Sequence, residues 1–150
     1  MADHIAPLPT KLQLLIVSAD RSLVNETVDE VEIPGFDGYF GVLPGHTPLL
    51  AVLQVGELWY RQGAEKHYVA IAFGFAEVQP DRVTILAQIA ETAEEIDLAR
   101  AEAAKKRAEE RVARPAVDMD AERARIALMK SLIRLQVATR ARIQIGRAHV

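Results

Sequence analysis

Residues 31–50 of the chain read VEIPGFDGYFGVLPGHTPLL and hold four glycines and three prolines within twenty positions. Glycine supplies the positive φ of tight turns, and proline presets the φ of a turn's first central residue. The order does not match a phosphate-binding loop, because the G-x-x-x-x-G-K-[ST] pattern is absent. The stretch therefore predicts turns and corners that join short strands.

Short runs rich in β-branched, aromatic or apolar residues surround this segment, at residues 11–17, 28–33, 49–55, 57–61, 67–72, 76–79 and 82–87. Turn dipeptides such as Gln62-Gly63 and Pro80-Asp81 separate them. Strands at this spacing without intervening helices predict an antiparallel β-sandwich or barrel. The continuous apolar run VAIAF at residues 69–73 indicates a strand that is covered on both faces.

Composition changes near residue 80. All eight aromatic residues, seven of the eight glycines and six of the seven prolines lie at or before Pro80. Residues 1–80 carry four Lys or Arg against ten Asp or Glu, and residues 81–150 carry fourteen against eleven. A homogeneous domain does not sort its residues in this way, so we infer two structural units.

The second unit is predicted to be helical. Residues 91–114 are dominated by Ala, Glu, Lys and Arg and contain no helix breaker, which predicts a first helix. Pro115 ends it, and Asp118 and Asp120 cap the start of a second helix. The short connection favours an antiparallel hairpin. We therefore expect a β-sandwich at residues 1–88 followed by an antiparallel α-helical hairpin at residues 89–150.

The second helix carries two apolar stripes, which is more apolar surface than one Ala-rich neighbour can cover. One stripe comprises Ala124, Leu128, Leu132, Leu135 and Thr139, and the other comprises Ile126, Met129, Ile133 and Val137. From Arg123 onward the chain has seven basic residues and no acidic one. A protein partner with an acidic surface fits this helix best. A plain structural hairpin remains an equal alternative, and nucleic acid is disfavoured because no aromatic platform accompanies the charge.

The sequence contains no feature of an enzyme. There is no cysteine, none of the three serines lies in a G-x-S-x-G pattern, and the four histidines lack metal-ligand spacing. Residues 1–10 do not resemble a signal or transit peptide, and no stretch reaches the roughly 18 apolar residues of a membrane span. We expect a soluble or peripheral protein with no catalytic residues, no metal and no required cofactor.

Together these residues resemble the epsilon subunits of bacterial-type F1Fo ATP synthases over about residues 11–136. The most specific part is residues 31–50, with the family's glycine spacing, its PGH and the following P-L-L. GFAEVQP at residues 74–80 and VTILA at residues 83–87 match the strands that close the family's first domain. IDLARA at residues 96–101 matches the I/L-D-x-x-R-A motif that opens its first helix.

The resemblance implies a non-catalytic central-stalk subunit, peripheral on the cytoplasmic face of the inner membrane as part of the complex. Its β-sandwich would dock on the gamma subunit and on the polar loops of the c-ring. By analogy Asp37 occupies the ring-proximal position, and His46 lies in the adjacent loop near gamma. The competing hypothesis is a generic β-sandwich that binds a ligand or peptide and is dimerised by its hairpin.

The hairpin of this family lies folded on the sandwich or extends along gamma into the alpha/beta catalytic hexamer, and it restrains ATP hydrolysis during proton-driven ATP synthesis. We expect an acidic segment of the catalytic beta subunits to meet four basic residues of the second helix, Arg123, Arg125, Lys130 and Arg134. Exposed ion pairs contribute only about 0–1 kcal/mol each, so several must act together.

Some family members also bind ATP as a regulatory ligand, through the I/L-D-x-x-R-A motif and arginines of the second helix. Asp97 and Arg100 are present here, and Arg123 is the candidate partner. Lys130-Ser131 replaces a Lys-Arg pair of the family. The alternative, in which Asp97 is an N-terminal carboxylate and Arg100 an exposed helix charge, has equal weight.

Overall fold

The computed structural model describes residues 7–114 and 120–148, with side chains as far as Arg140. Seven strands precede two helices and one short 3₁₀ turn. The strands are β1 Leu12–Val17, β2 Ser22–Val28, β3 Glu30–Gly35, β4 Gly38–Val42, β5 Leu49–Gln62, β6 Glu65–Gln79 and β7 Arg82–Thr92. The helices are α1 Leu98–Ala113 and α2 Ala121–Ala148, and the 3₁₀ turn covers Ala93–Glu95.

The strands form one hydrogen-bonded sheet in the order β2-β1-β7-β6-β5-β3-β4. Every neighbouring pair is antiparallel except β1 and β7, which are parallel. Only Asp29 separates β2 from β3, although these strands lie near opposite ends of the sheet order. The Asp29 N–H donates to the Arg61 carbonyl of β5 over 2.8 Å. The sheet therefore folds over on itself, which confirms the predicted β-sandwich.

One large core lies between the folded halves of the sheet. It contains apolar side chains from all seven strands, among them Leu14, Val28, Ile33, Leu58 and Ile85, and each is essentially inaccessible to water. Alternation along the strands directs these side chains inward and leaves their neighbours outside. The run VAIAF is covered on both faces as predicted, because Val69 and Ile71 enter this core while Ala70 lies beneath the helices.

Four strand predictions need correction. The turn-rich stretch contains a strand, β4, which pairs with β3 from Gly35–Gly38 to Val31–Val42. The polar strand β2 was not predicted, because it is an edge strand and most of its side chains are exposed. The runs at 49–55 and 57–61 are one strand, β5, and those at 67–72 and 76–79 are one strand, β6.

The predicted breaks in β5 and β6 lie close to the place where the inward and outward alternation of their side chains changes. β5 pairs with β6 at Leu53–Gly74 and again at Val55–Ala72, and β6 pairs with β7 at Gly74–Ala87 and at Ala72–Ile89. The residues between them are Gln54, Phe73 and Gln88, and Phe73 has a positive φ of 64°. The inward and outward alternation of side chains therefore shifts by one residue in three neighbouring strands, while the hydrogen-bonded pairing of these strands continues before and after the shift. We call this line the sheet bend.

The first helix starts later than predicted. Glu91 and Thr92 belong to β7, where they pair with Ala70 and Val69, so the neighbouring strand holds Glu91 in a strand although it is a good helix former. The expected boundary at residue 88 falls inside this strand. α1 begins after Asp97, whose side chain accepts a hydrogen bond from the Arg100 N–H. This cap satisfies one of the helix's free N–H groups.

The helices form the predicted antiparallel hairpin. Ala101 near the start of α1 shares a buried cluster with Val137 and Ala138 in the second half of α2. The Asp120 side chain accepts hydrogen bonds from the N–H groups of Glu122 and Arg123, as expected of a cap. The predicted roles of Pro115 and Asp118 lie outside the described residues.

Gly74 at the sheet bend offers a test of this architecture. It has φ +126°, and a Cβ added there would lie 2.1 Å from the Leu86 carbonyl oxygen. We expect Gly74→Ala to lower the free energy of unfolding by about 3 kcal/mol, from backbone strain and the clash together. Gly41→Ala is the control, because nothing lies within 4 Å of its added Cβ. Urea denaturation measures both, and equal stability of the two variants would contradict the role of the bend.

Candidate functional site

The sheet presents an exposed apolar surface on one side of the bend. Val52, Phe75 and Leu86 are directly paired across β5, β6 and β7, and about half of each side chain is exposed. The Phe36 N–H donates to the Val52 carbonyl over 2.7 Å, which joins the β3–β4 turn to this row. We define the outer apolar surface by six residues, Phe36, Tyr39, Leu50, Val52, Phe75 and Leu86.

A concavity marks one part of the outer apolar surface, between the β3–β4 turn and the start of β5. It has a volume of about 710 Å³ and is lined by residues 35–40 and 49–52. Scattered single apolar residues on a surface need no explanation, but a contiguous group of large ones marks an interaction site. This arrangement suits binding of another macromolecule.

Asp37 and His46 lie at opposite ends of β4. Asp37 is exposed in the two-residue turn between β3 and β4, at the rim of the concavity. His46 is half-buried in the loop that follows β4, and its Nδ1 lies 2.6 Å from the Thr47 carbonyl oxygen. The structure therefore separates these two predicted partner-binding residues by the length of a strand.

Beyond the bend, the outer face of the sheet holds the hairpin. Glu57, Ala70 and Glu91 are directly paired across β5, β6 and β7, so the two carboxylates flank the small Ala70. Each carboxylate meets an arginine of α2. We call this contact between α2 and the row of Glu57, Ala70 and Glu91 the helix seam.

At one side of the helix seam, Glu57 pairs with Arg140. The Nε of Arg140 lies 2.7 Å from Oε1 of Glu57, and the Gln136 amide donates to Oε2 over 3.3 Å. The Glu57 side chain is only 8% exposed, whereas that of Arg140 is 49% exposed. Burial raises the pKa of Glu57, and the opposing effects of Arg140 and Gln136 do not cancel it.

At the other side of the helix seam, Glu91 pairs with Arg134. The Nε and Nη2 of Arg134 lie 2.8 Å and 3.2 Å from the two carboxylate oxygens, and both side chains are 26% exposed. One turn earlier, the Lys130 ammonium lies 5.8 Å from the centre of the Phe73 ring. Two of the four predicted partner-binding cations therefore face the sheet in this conformation.

The other two predicted cations are near the start of α2 and face solvent. The Arg125 side chain lies 3.5 Å from Glu122 in an exposed i,i+3 pair. Arg123 is exposed, and its backbone N–H joins the Asp120 cap. These side chains are accessible to a partner without movement of the hairpin.

The three residues predicted to bind ATP do not converge. Asp97 and Arg100 lie at the start of α1, next to the second half of α2. Arg123 lies at the other end of the hairpin, and a 16-residue helix such as α1 spans about 24 Å. Nearer to α1's start, a cavity of about 290 Å³ lies between α2 and the sheet. Its charged and polar lining comes from Glu91, Lys130, Ser131 and Arg134.

Sequence reasoning missed the two carboxylates of the helix seam. Glu57 is the only charged residue between Leu49 and Tyr60, which is a signal that something pairs with it. Glu91 gave no such signal because it was assigned to a helix. Within residues 7–114 and 120–148, no three acidic or histidine side chains form a metal-binding group. Neither described α-helix is both long and apolar enough to cross a membrane.

Comparison with known families accounts for both parts of the chain. Residues 11–93 match the β-sandwich domain of the ATP synthase delta/epsilon chain, and residues 94–139 match the long α-helix domain of the same chain. The first match ends at the junction of β7 and the 3₁₀ turn.

Individual relatives are similar over most of their length. An ATP synthase epsilon chain from Syntrophotalea carbinolica is 48% identical over 132 residues, which cover 87% of this chain and 95% of the relative. That of Nitratidesulfovibrio vulgaris is 47% identical over 126 residues, covering 84% and 94%. A chain in the Euglena gracilis mitochondrial ATP synthase, in an OSCP/F1/c-ring structure, has a TM-score of 0.77 and 27% identity over 92% of this chain and 87% of its own length.

Proposed function

This chain belongs to the delta/epsilon family of ATP synthase chains, and we propose that its outer apolar surface docks on the rotor while its hairpin restrains ATP hydrolysis. As an epsilon chain it is a non-catalytic subunit of the synthase's central stalk. Its position in the complex is peripheral to the membrane, and we propose the cytoplasmic face of the inner membrane.

The proposed partner of the outer apolar surface is the gamma subunit. The observation that carries this proposal is the row of large, half-exposed side chains that includes Val52, Phe75 and Leu86. The centres of permanent interfaces are apolar and aromatic, and their rims are polar. Asp37 stands at such a rim, which supports its proposed contact with the polar loops of the c-ring. His46, beyond β4, is the proposed neighbour of gamma in the adjacent loop.

Val52→Asp tests the docking surface. A charge in the centre of an apolar interface removes packing and leaves a buried carboxylate without a partner, so we expect affinity for gamma to fall about 100-fold. Leu132→Asp is the matched control, because Leu132 is similarly exposed but lies on α2. Calorimetry and size-exclusion chromatography with purified gamma measure the effect.

Two outcomes would contradict this part of the proposal. One is equal binding of the two variants to gamma. The other is a stable homodimer that does not bind gamma, as expected of a ligand-binding sandwich that is dimerised by its hairpin.

The proposed restraint uses the basic side of α2 against an acidic segment of the catalytic beta subunits. Arg123 and Arg125 are free of the sheet, whereas Arg134 is engaged by Glu91 at the helix seam. Release of the hairpin would make Lys130 and Arg134 available as well. The same cations would then stabilise either the docked hairpin or the inhibitory contact, which is the competition that a two-state switch requires.

Arg123→Ala with Arg125→Ala tests the restraint without disturbing the helix seam. Two exposed ion pairs contribute up to about 2 kcal/mol together, so we expect ATP hydrolysis by the reconstituted complex to rise several-fold. The control replaces Lys106 and Arg111, two exposed cations of α1. Adding Lys130→Ala and Arg134→Ala should weaken inhibition further. Unchanged hydrolysis in all of these variants would count against the restraint.

ATP is the proposed regulatory ligand of the docked hairpin. The cavity at the helix seam supports this proposal, because Lys130 and Arg134 line it and apolar side chains form much of the rest. Ala101 and Ile133, the chain neighbours of Arg100 and Arg134, belong to one apolar cluster, so we propose that Arg134, rather than Arg123, joins Asp97 and Arg100. A ligand that binds only the docked state also stabilises that state.

Titration of the isolated chain with ATP tests this proposal. We expect Arg100→Ala and Arg134→Ala each to weaken binding about tenfold or more, since each would remove a charge-assisted hydrogen bond to phosphate. Arg123→Ala should leave binding unchanged. Asp97→Asn retains the helix cap and isolates the effect of the charge. Absence of binding at millimolar ATP would exclude ATP as a ligand of this chain.

A further inference from the structure

The two ion pairs of the helix seam differ in their exposure to water. Glu91 and Arg134 share two contacts, and each keeps about a quarter of its side chain exposed. The Glu57 carboxylate is almost completely buried and is contacted by Gln136 and Arg140 of α2, while Arg140 remains half-exposed. Glu57 therefore loses its hydration when the hairpin docks, and Arg140 does not.

This difference in burial decides whether the contact between Glu57 and Arg140 stabilises or destabilises the docked hairpin. Removing a carboxylate from water costs several kcal/mol, and a partner that stays hydrated returns only part of that cost. A solvated guanidinium is also screened, which weakens its attraction for the carboxylate. The Glu91 pair avoids this imbalance, because neither of its members is fully buried.

We propose that Glu57 is a proton-sensitive release element, whose buried, charged carboxylate keeps the docked hairpin only marginally stable. Docking is favoured when Glu57 carries a proton and disfavoured when it is ionised. Glu91 and the apolar contacts of α2 supply the attraction that Glu57 opposes. This inference rests on the proposed function, in which the hairpin leaves the sheet.

The surroundings of Glu57 support this direction. Arg140 and Gln136 face it from α2, and Glu32 of β3 adds a like charge. The Tyr39 hydroxyl of β4 accepts a hydrogen bond from the Glu57 backbone N–H, so it satisfies the backbone and not the carboxylate. The Arg140 guanidinium also lies over Tyr68 of β6, and its central carbon is 5.7 Å from the centre of the Tyr68 ring. The nearest other ion pair is that of Glu91 and Arg134, across Ala70.

The sign of the pH dependence follows from linkage. Burial raises the pKa of Glu57 in the docked state, and release returns this pKa to its ordinary value. A state with the higher pKa binds the proton more tightly, so docking strengthens as the pH falls through the raised value. Each pH unit by which the pKa is raised changes the docking equilibrium about tenfold.

The chain is well suited to a direct measurement of docking. It has one tryptophan, Trp59 on β5, and no cysteine. Met129→Cys places a single acceptor dye at an exposed position of α2. Energy transfer from Trp59 to the dye reports docking, and its loss in a urea titration gives a midpoint for each variant. Trp59 emission from the unlabelled chain monitors the sheet itself.

Glu57→Gln in this labelled chain should raise the docking midpoint at about pH 7.5, because the amide keeps the shape and removes the buried charge. The midpoints of the parent and Glu57→Gln chains should lie closer together at about pH 5 than at about pH 7.5, because a lower pH favours the protonated form of Glu57 in the docked state. Glu91→Gln is the matched control, and it should lower the midpoint at both pH values. Arg140→Gln should also lower the midpoint and increase its pH dependence.

A lower midpoint for Glu57→Gln would overturn the inference, because Glu57 would then stabilise docking. So would a difference between the parent and Glu57→Gln that does not change with pH. If Glu57→Gln does not fold, as the Trp59 emission of the unlabelled chain would reveal, an Arg140→Gln midpoint that equals or exceeds the parent's would overturn it instead. All of these measurements use the isolated chain, so their failure leaves the restraint of hydrolysis, tested in the complex, unaffected.

Discussion

The pairing of β5, β6 and β7 across the sheet bend is the constraint on which the rest of the structure depends. At Gln54, Phe73 and Gln88 three neighbouring strands shift their alternation together, so their hydrogen bonding continues on both sides. Gly74 permits this close passage, since any side chain there would meet the Leu86 carbonyl. One continuous sheet thereby carries two different outer faces. One face exposes large apolar side chains. The other face carries the small Ala70 between two carboxylates where α2 lies.

We propose that the two faces have different roles in a central-stalk subunit. Docking on a rotor calls for a permanent interface, and the outer apolar surface offers large side chains on rigid strands for it. Regulation calls for a contact that opens, and the helix seam has the composition for it. Ala70 lets α2 approach closely, Glu91 attracts Arg134, and Glu57 is buried at a cost. Since all three residues are directly paired, the stabilising contact of Glu91 and the destabilising burial of Glu57 act on the same part of α2.

Much of the fold was predictable from residue pattern alone. Turn residues at 34–45 indicated tight connections, and VAIAF indicated a strand covered twice. The second apolar stripe of α2 favours a surface for another protein, whereas in this structure the sheet covers part of it, since Ile133 and Val137 pack with Ala70. Local pattern failed where tertiary contacts decide the outcome. The predicted runs leave out Gly56 and Gly74, although both glycines lie inside strands, and Gly56 leaves room for Pro34 and the Tyr39 hydroxyl. Glu91 is a good helix former, yet its pairing with Ala70 holds it in a strand.

The site was less predictable than the fold, because an ion pair such as Glu57–Arg140 joins residues that are distant in the sequence.

Hydrogen–deuterium exchange of the chain alone and bound to gamma tests most directly whether the sheet assigns separate tasks to its two faces. The account predicts that gamma slows exchange in residues 36–52 and around Phe75 and Leu86. Amides of α2 would keep the rates of the isolated chain for as long as the hairpin stays docked. Slower exchange confined to α2, with residues 36–52 unchanged, would contradict the account.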